Sequence, residues 1–264
     1  DGLVTSTEVI IRVRGLCNRF GSNVVHQDLD LDVYRGEILG VVGGSGTGKS
    51  VLLRSIVGLM APSSGEVCVF GKDMLALPAA QRAELEQRVG VLFQKGALFS
   101  SLTVLENIAL PLIEHAGLTR QQAGEIARVK IALTGLSAHA ADLYPSDLSG
   151  GMIKRASLAR PLALDPDILF LDEPTAGLDP IGAAAFDQLL KTLRDAFNLT
   201  VFLVTHDLDT LYTACDRVAV LSQKKVLVAD RLEVVADTDD QWIREYFHGP
   251  RGRAAAQAAT WQLT

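Results

Sequence analysis

Long apolar runs are missing from this 264-residue chain. The longest, such as 38–42 and 200–204, span about five residues, whereas a helix through a bilayer needs about 20. The chain therefore does not read as one that crosses a membrane. A basic excess is missing too. Lys plus Arg number 25 against 31 Asp plus Glu, which gives a net charge of −6 and a pI near 5.4. That balance argues against a general nucleic-acid binder. Cysteine is scarce. Cys17, Cys68 and Cys215 are scattered and form no CxxC pair, and no basic start followed by an apolar stretch precedes residue 30. The expectation is a reduced, cytoplasmic protein whose cysteines serve as small buried hydrophobes. No internal repeat is visible. What is present is apolar material for a sizeable core, with 48% hydrophobic residues and a mean hydropathy of +0.23.

Residues 28–33 alternate strictly, the period of a half-buried strand. With similar strands at 8–14 and 65–70, they predict an early antiparallel sheet. The stretches 38–42, 89–93, 168–171, 200–204 and 217–221 are short and continuously apolar, as expected of parallel strands covered on both faces. Helical patterns at about 49–59, 79–88 and 182–197 lie among them, so right-handed crossovers and an α/β core follow. The interval from about 95 to 165 is different. It has almost no β-rich run and carries helical patterns near 103–115, 120–133 and 150–160, which predicts an inserted helical subdomain. The tail from Gly249 has few core-forming residues and reads as a frayed end or as an arm that orders on a partner.

Gly43-Gly44-Ser45-Gly46-Thr47-Gly48-Lys49-Ser50 fits GxxxxGK[ST] and lies between an apolar strand and a helix. Glycines let a backbone wrap a phosphate, and the helix N-terminus adds positive potential. Lys49 suits the β- and γ-phosphates of a nucleotide, and the Ser50 hydroxyl suits Mg²⁺. A second motif runs from Ile168 to Glu173: four apolar residues, then Asp172 and Glu173 at the C-terminal end of the strand, where open α/β sheets place ligands. Asp172 is suited to hold Mg²⁺ through water, and Glu173 to orient and polarise an attacking water. These two motifs leave kinases, GTPases, helicases and transport ATPases open.

Leu148-Ser149-Gly150-Gly151-Met152 discriminates among them. Ser149 is a natural N-cap, and the two glycines permit close approach of another molecule's phosphate. One chain cannot easily fold two such anion sites onto one nucleotide. A head-to-tail pair of chains, each supplying half of two composite sites, is the natural solution.

Over roughly residues 8–247 the chain resembles the nucleotide-binding subunit of ABC transporters, and Leu148-Ser149-Gly150-Gly151 looks like that family's signature. The resemblance implies a P-loop NTPase α/β core of the ABC type, over 1–94 and 166–248, with an antiparallel β subdomain. It also implies an α-helical signature subdomain at 95–165 and a C-terminal tail at 249–264. ATP and Mg²⁺ are the implied cofactors. Phe20 matches the aromatic that stacks on adenine, a plain core phenylalanine being the alternative. The phosphate-binding set extends from Gly43 through Val51. Gln94 matches the glutamine that links Mg²⁺ and water to the transmembrane partner, and Asp179 lies in a stretch like the loop that crosses the dimer interface. His206 matches the histidine that contacts the γ-phosphate. His26, His115, His139 and His248 read as structural.

A narrower resemblance rests on Gly43 to Arg54, on Phe93-Gln94-Lys95-Gly96-Ala97-Leu98-Phe99, and on Met152, where most ABC subunits carry Gln. These stretches look like the Mla/Mce (maintenance of lipid asymmetry) branch. That branch implies an ATPase at the cytoplasmic face of a bacterial inner membrane that energises phospholipid movement between membranes. The implied partners are a second copy, a polytopic permease, a lipid-binding MCE-domain protein and a small accessory protein. Leu98 and Phe99 suit a groove for a permease helix, or else simply join the insert's core. Arg251, Arg253 and Trp261 suit a sister chain or an accessory protein. The rivals are a soluble ABC ATPase (metal-cluster assembly, for instance), an ABC subunit for another substrate, and a small-molecule kinase, which leaves the signature, Asp179 and His206 unexplained. Two departures stand out: Gly44, where the family often has Pro, and Pro161, which should end the helix near Arg160.

Overall fold

The computed structural model describes residues 8–94, 98–250, 252 and 254–256. Lys95, Gly96, Ala97, Arg251, Arg253 and Trp261 lie outside the described residues. The chain divides into two compact units: one comprises the residues up to Arg82 and those from Thr200 on, the other Ala83–Leu199. No helix among the described residues is long and apolar enough to cross a membrane.

The first unit opens with β1 (Val9–Phe20) and β2 (Asn23–Tyr34), an antiparallel pair. On β2 the alternating Leu29, Leu31 and Val33 are buried, while Asp28 and Asp30 face water. β4 (Ser64–Val69) and the two-residue β5 (Lys72–Asp73) complete the sheet in the order β2-β1-β4-β5. β3 (Ile38–Gly43) is parallel to both β8 (Thr200–Val204) and β9 (Arg217–Ser222), and β10 (Lys225–Asp230) runs antiparallel outside β9. Five of the six residues of β3 and all five of β8 are buried, which is why these strands lack alternation. α1 (Lys49–Ile56) follows β3; α7 (Leu208–Ala214), α8 (Leu232–Ala236) and α9 (Gln241–His248) pack through Leu211, Val235, Ile243 and Phe247 on Val42, Val218 and Val220.

Arg217 closes this unit electrostatically. Its Nη1 donates to Glu37 Oε1 at 2.9 Å, Nη2 donates to the Ala229 carbonyl at 3.1 Å, and the guanidinium lies 4.6 Å from the Tyr34 ring centroid. Burial pushes the Glu37 carboxyl above its ordinary value, opposed by the Tyr34 N–H and by Arg217.

The second unit contains β6 (Val89–Leu92), parallel to β7 (Ile168–Asp172), and α6 (Pro180–Phe197). α2 (Ala79–Glu86) spans the division between the units. Three helices, α3 (Val104–Ala116), α4 (Arg120–Leu133) and α5 (Gly150–Ala159), share an apolar core built on Ile108, Leu112, Ala127, Ile131, Ala156 and Ala159. Thr103 and Glu106 cap α3 reciprocally, and Thr119 and Gln122 do the same for α4. α5 ends at Ala159, with Arg160 as its C-cap, as expected of a helix that meets Pro161. Pro161 in turn sits against Gly90, where an added Cβ would lie 2.9 Å from the Pro161 carbonyl oxygen.

One expectation fails. None of Cys17, Cys68 and Cys215 is fully buried; each is half-buried and outside any disulfide. Cys215 packs against the apolar core, whereas Cys17 and Cys68 lie beside carboxylates: Cys68 Sγ is 3.0 Å from Glu66 Oε1, and burial with that carboxylate raises its pKa to about 11. A thiol held so firmly protonated is a poor nucleophile.

Candidate nucleotide-binding site

In the first unit, β3 delivers the chain into a loop from Gly43 and α1 takes it up at Lys49. The Lys49 ammonium folds back and donates to the carbonyls of Gly43 at 2.9 Å and Gly44 at 3.2 Å. Thr47 pins the same turn, its hydroxyl donating to the Gly44 carbonyl at 2.9 Å. Gly46 and Gly48 are left-handed, at φ +77 and +89. Above Gly46 there is open space, with no atom within 4 Å of an added Cβ. Beneath Gly48 there is none: an added Cβ would lie 2.5 Å from His26 Nε2 and 2.9 Å from Cε1, with Val25 Cγ1 closer still. The loop therefore turns a bare backbone outward and rests on a solid floor. Ser45, Gly46 and Ser50 are exposed, and Val51 is half-buried.

The floor is a buried polar network that the sequence did not disclose. His26 is fully buried, its Nδ1 accepts from Asn18 Nδ2 at 3.0 Å, and Asn18 Nδ2 also donates to Ser55 Oγ at 3.1 Å. Because Nδ1 accepts, the ring carries its proton on Nε2 and is neutral. Burial holds its pKa below 6.5, partly offset by the backbone of Thr47 and Gly48.

Phe20, at the end of β1, is 51% exposed, which removes the reading of a core phenylalanine. An exposed ring on a strand end is available for stacking. His206 is also exposed, in the turn between β8 and α7.

The second unit carries the acidic candidates. Asp172 is the last residue of the fully buried β7 and is itself 8% exposed. Glu173 follows at φ +52, a left-handed backbone rare for a side-chain-bearing residue, and its carbonyl accepts from Ala176 N–H at 3.2 Å. Asp179, exposed, caps α6 by accepting from Gly182 N–H at 2.9 Å, just before Pro180 in the first turn. Ser149 caps α5 by accepting from Met152 N–H at 3.3 Å. Ser149 and Gly150 are exposed, and neither Gly150 nor Gly151 has an atom within 4 Å of an added Cβ, so a phosphate could approach this helix end closely.

Gln94 is exposed just after β6 and borders a cavity of about 220 Å³ shared with Lys154 and Pro174. Burial lowers the Lys154 pKa, and the Glu173 carboxylate counteracts it. Leu98 packs on the helical core, whereas Phe99 stays 47% exposed beneath the Arg160 guanidinium, 4.5 Å from its ring centroid. The donor chemistry fits Mg²⁺. Among the described residues no three His, Cys, Asp or Glu side chains cluster into a cage. A hydroxyl, an amide and one or two carboxylates are what Mg²⁺ takes when phosphate oxygens and waters complete its shell.

Comparison with known proteins agrees with this chemistry. A family profile described as ABC transporter matches residues 26–176. A Mycobacterium leprae protein described as the probable ribonucleotide transport ATP-binding protein mkl is 38% identical over 243 residues, 92% of this chain and 70% of its own. The Haemophilus influenzae intermembrane phospholipid transport ATP-binding protein MlaF is 37% identical over 240 residues, covering 91% of this chain and 90% of the relative. Among solved structures, a dimeric ATP-binding cassette in a post-hydrolysis state with ADP and Pi superposes with a TM-score of 0.76 at 29% identity. It covers 84% of this chain and 98% of its own. With a profile over more than half of the chain and a relative matched nearly from end to end, the chain belongs to the ABC transporter family, as one of its ATP-hydrolysing subunits.

Proposed function

We propose that this subunit powers phospholipid movement between bacterial membranes, as a peripheral ATPase at the cytoplasmic face of the inner membrane. The observation that carries the reading is the match to the phospholipid-transport relative over 91% of this chain and 90% of the relative. The ribonucleotide-transport relative is matched over only 70% of its length, and it supports the second reading, an ABC subunit serving another cargo.

In this reading two copies close head to tail around two ATP molecules. The loop from Gly43 to Val51 wraps the phosphates, the Lys49 ammonium leaves the Gly43 and Gly44 carbonyls for the β- and γ-phosphates, and Phe20 stacks on the adenine. Ser50, Gln94 and Asp172 would hold Mg²⁺, which when bound would neutralise charge on the transferring phosphoryl group. Glu173 orients the attacking water and accepts its proton. His206 donates a hydrogen bond to γ-phosphate oxygens as charge develops. Ser149, Gly150 and Gly151 of a second copy complete each pocket, and Asp179 lies along the dimer seam. Closure is favoured because ATP binds the closed pair better than the open one, and loss of the γ-phosphate reopens it.

A polytopic permease receives the stroke beside Gln94 and the exposed Phe99, while an MCE-domain protein and a small accessory protein complete the lipid path. Glu173→Gln should lower turnover on the order of 10²–10⁴-fold, the usual share of a general base, and trap an ATP-bound dimer. Detergent extraction of the native assembly followed by mass spectrometry should recover a polytopic protein and bound phospholipid. A polytopic protein carrying a nucleotide or another cargo would favour the second reading, and no polytopic protein at all would overturn both.

A further inference from the structure

α9 touches both nucleotide-handling segments of the first unit. Ile243 and Phe247 anchor it in the core, at 0% and 2% exposure, so its position is fixed by packing. A second stripe, Trp242 and Tyr246, is one turn apart on the same helix, and their rings stack at 4.5 Å between centroids and 16° between planes. The upper end of the stack meets the phosphate loop, where a Cβ added to Gly44 would lie 3.5 Å from Trp242 Nε1 and 3.9 Å from its Cδ1. The lower end meets the turn after β8, where the Tyr246 hydroxyl donates to the His206 carbonyl at 2.8 Å. Tyr246 also braces Phe247 edge-on at 5.0 Å, which restricts its ring to this orientation.

We propose that the Trp242–Tyr246 stack is a strut that sets the position of the His206 side chain from the position of the phosphate loop. Both residues are positioning residues. Tyr246 acts by fixing the backbone from which the His206 imidazole projects. Trp242 acts by lying against Gly44, so that a shift of the loop on filling is passed along the stack. The proposal rests on the reading of His206 as the γ-phosphate contact.

The test uses the full-length subunit in its purified assembly. Tyr246→Phe keeps the ring and the stack and removes only the hydroxyl. Losing one neutral hydrogen bond to a catalytic segment should lower kcat about three- to tenfold while the ATP KM stays at the wild-type value and the melting temperature falls by no more than a few °C. In a Trp261→Phe background Trp242 is the remaining tryptophan of the two in the chain. Its emission should shift on addition of ATP with Mg²⁺, and should do so equally in Tyr246→Phe, because the loop-facing end of the strut is intact there. Wild-type kcat in Tyr246→Phe overturns the proposal. So does a loss of kcat matched by a loss of ATP affinity, or accompanied by a fall in melting temperature of more than about 10 °C, and so does Trp242 emission that ignores ATP. His206→Ala separates the two layers of the argument: a variant that hydrolyses ATP at the wild-type rate removes the reading of His206, whereas an inactive one beside an unimpaired Tyr246→Phe removes the strut alone.

Discussion

Replacing Gly48 by alanine probes whether the phosphate loop rests on a rigid floor. Two costs combine at this position. A left-handed backbone with a Cβ costs about 1–2 kcal/mol. Pressing that Cβ into packed atoms costs about 1–3 kcal/mol more, because the neighbours have no easy escape. His26 Nε2 lies 2.5 Å from the added atom, and the ring is tethered through Nδ1 to Asn18, so it cannot swing aside without breaking a buried hydrogen bond. Gly46→Ala is the control. It is left-handed at φ +77 but meets nothing within 4 Å, so it bears the backbone cost alone. Both variants gain the same entropic benefit, about 0.4–1 kcal/mol, from a stiffer unfolded chain, and it cancels in the difference. Gly48→Ala should therefore be less stable than Gly46→Ala by about 1–3 kcal/mol, or about 2–12 °C in melting temperature at roughly 2–4 °C per kcal/mol. Nucleotide-free thermal unfolding of both proteins measures this directly. Equal melting temperatures would refute the rigid floor and, with it, the tethering of His26.

Other outcomes follow from the same geometry. His26→Gln should flatten the pH dependence of stability. The folded-state pKa of this histidine lies below 6.5, so the native state resists a proton that the unfolded chain accepts, and wild-type stability should fall as pH drops below about 6.5 while the variant falls less; parallel denaturant titrations across that range decide it. Thr103→Ala removes the capping box of α3 and should cost about 0.5–2 kcal/mol in urea unfolding, with no change in nucleotide affinity. Lys49→Ala should lower ATP hydrolysis on the order of 10²–10³-fold, as loss of a charge-stabilising donor does, while costing the empty protein no more than about 1 kcal/mol of stability in urea unfolding, since its hydrogen bonds to the Gly43 and Gly44 carbonyls are only partly buried.

The legible features were those with a strong local signature. Continuous apolar runs marked β3, β7, β8 and β9 because a strand covered on both faces admits few polar residues. The glycine spacing marked the loop before Lys49, Ser149 was recognisable as a cap, and Pro161 announced the end of α5. Other elements were overlooked. β10 carries a four-residue apolar run at 226–229 but is at most half-buried along its length, an edge strand rather than one covered on both faces. α7 and α8 are seven and five residues long, too short for a helical period to show. α9 falls within the stretch assigned to the core, but at eight residues it is too short for its inward stripe to stand out as a helical period. His26 looked like an ordinary strand histidine. Only the fold, by laying Gly48 across it, shows that the residue shapes the site. Nor does any local pattern announce the left-handed backbone of Glu173.

The contact between Arg217 and Glu37 bears on how the protein is made. The two residues are 180 positions apart, so at about 5–20 residues per second the arginine is synthesised on the order of 10–40 s after the acid. During that interval β1 and β2 can form their hairpin, but the carboxylate at its base has no cation, and Tyr34 has no guanidinium to cover its ring. The nascent hairpin must leave this corner wet. Its final drying waits for β9, which makes the arrival of the last fifth of the polypeptide the event that commits the amino-terminal sheet to its native seat.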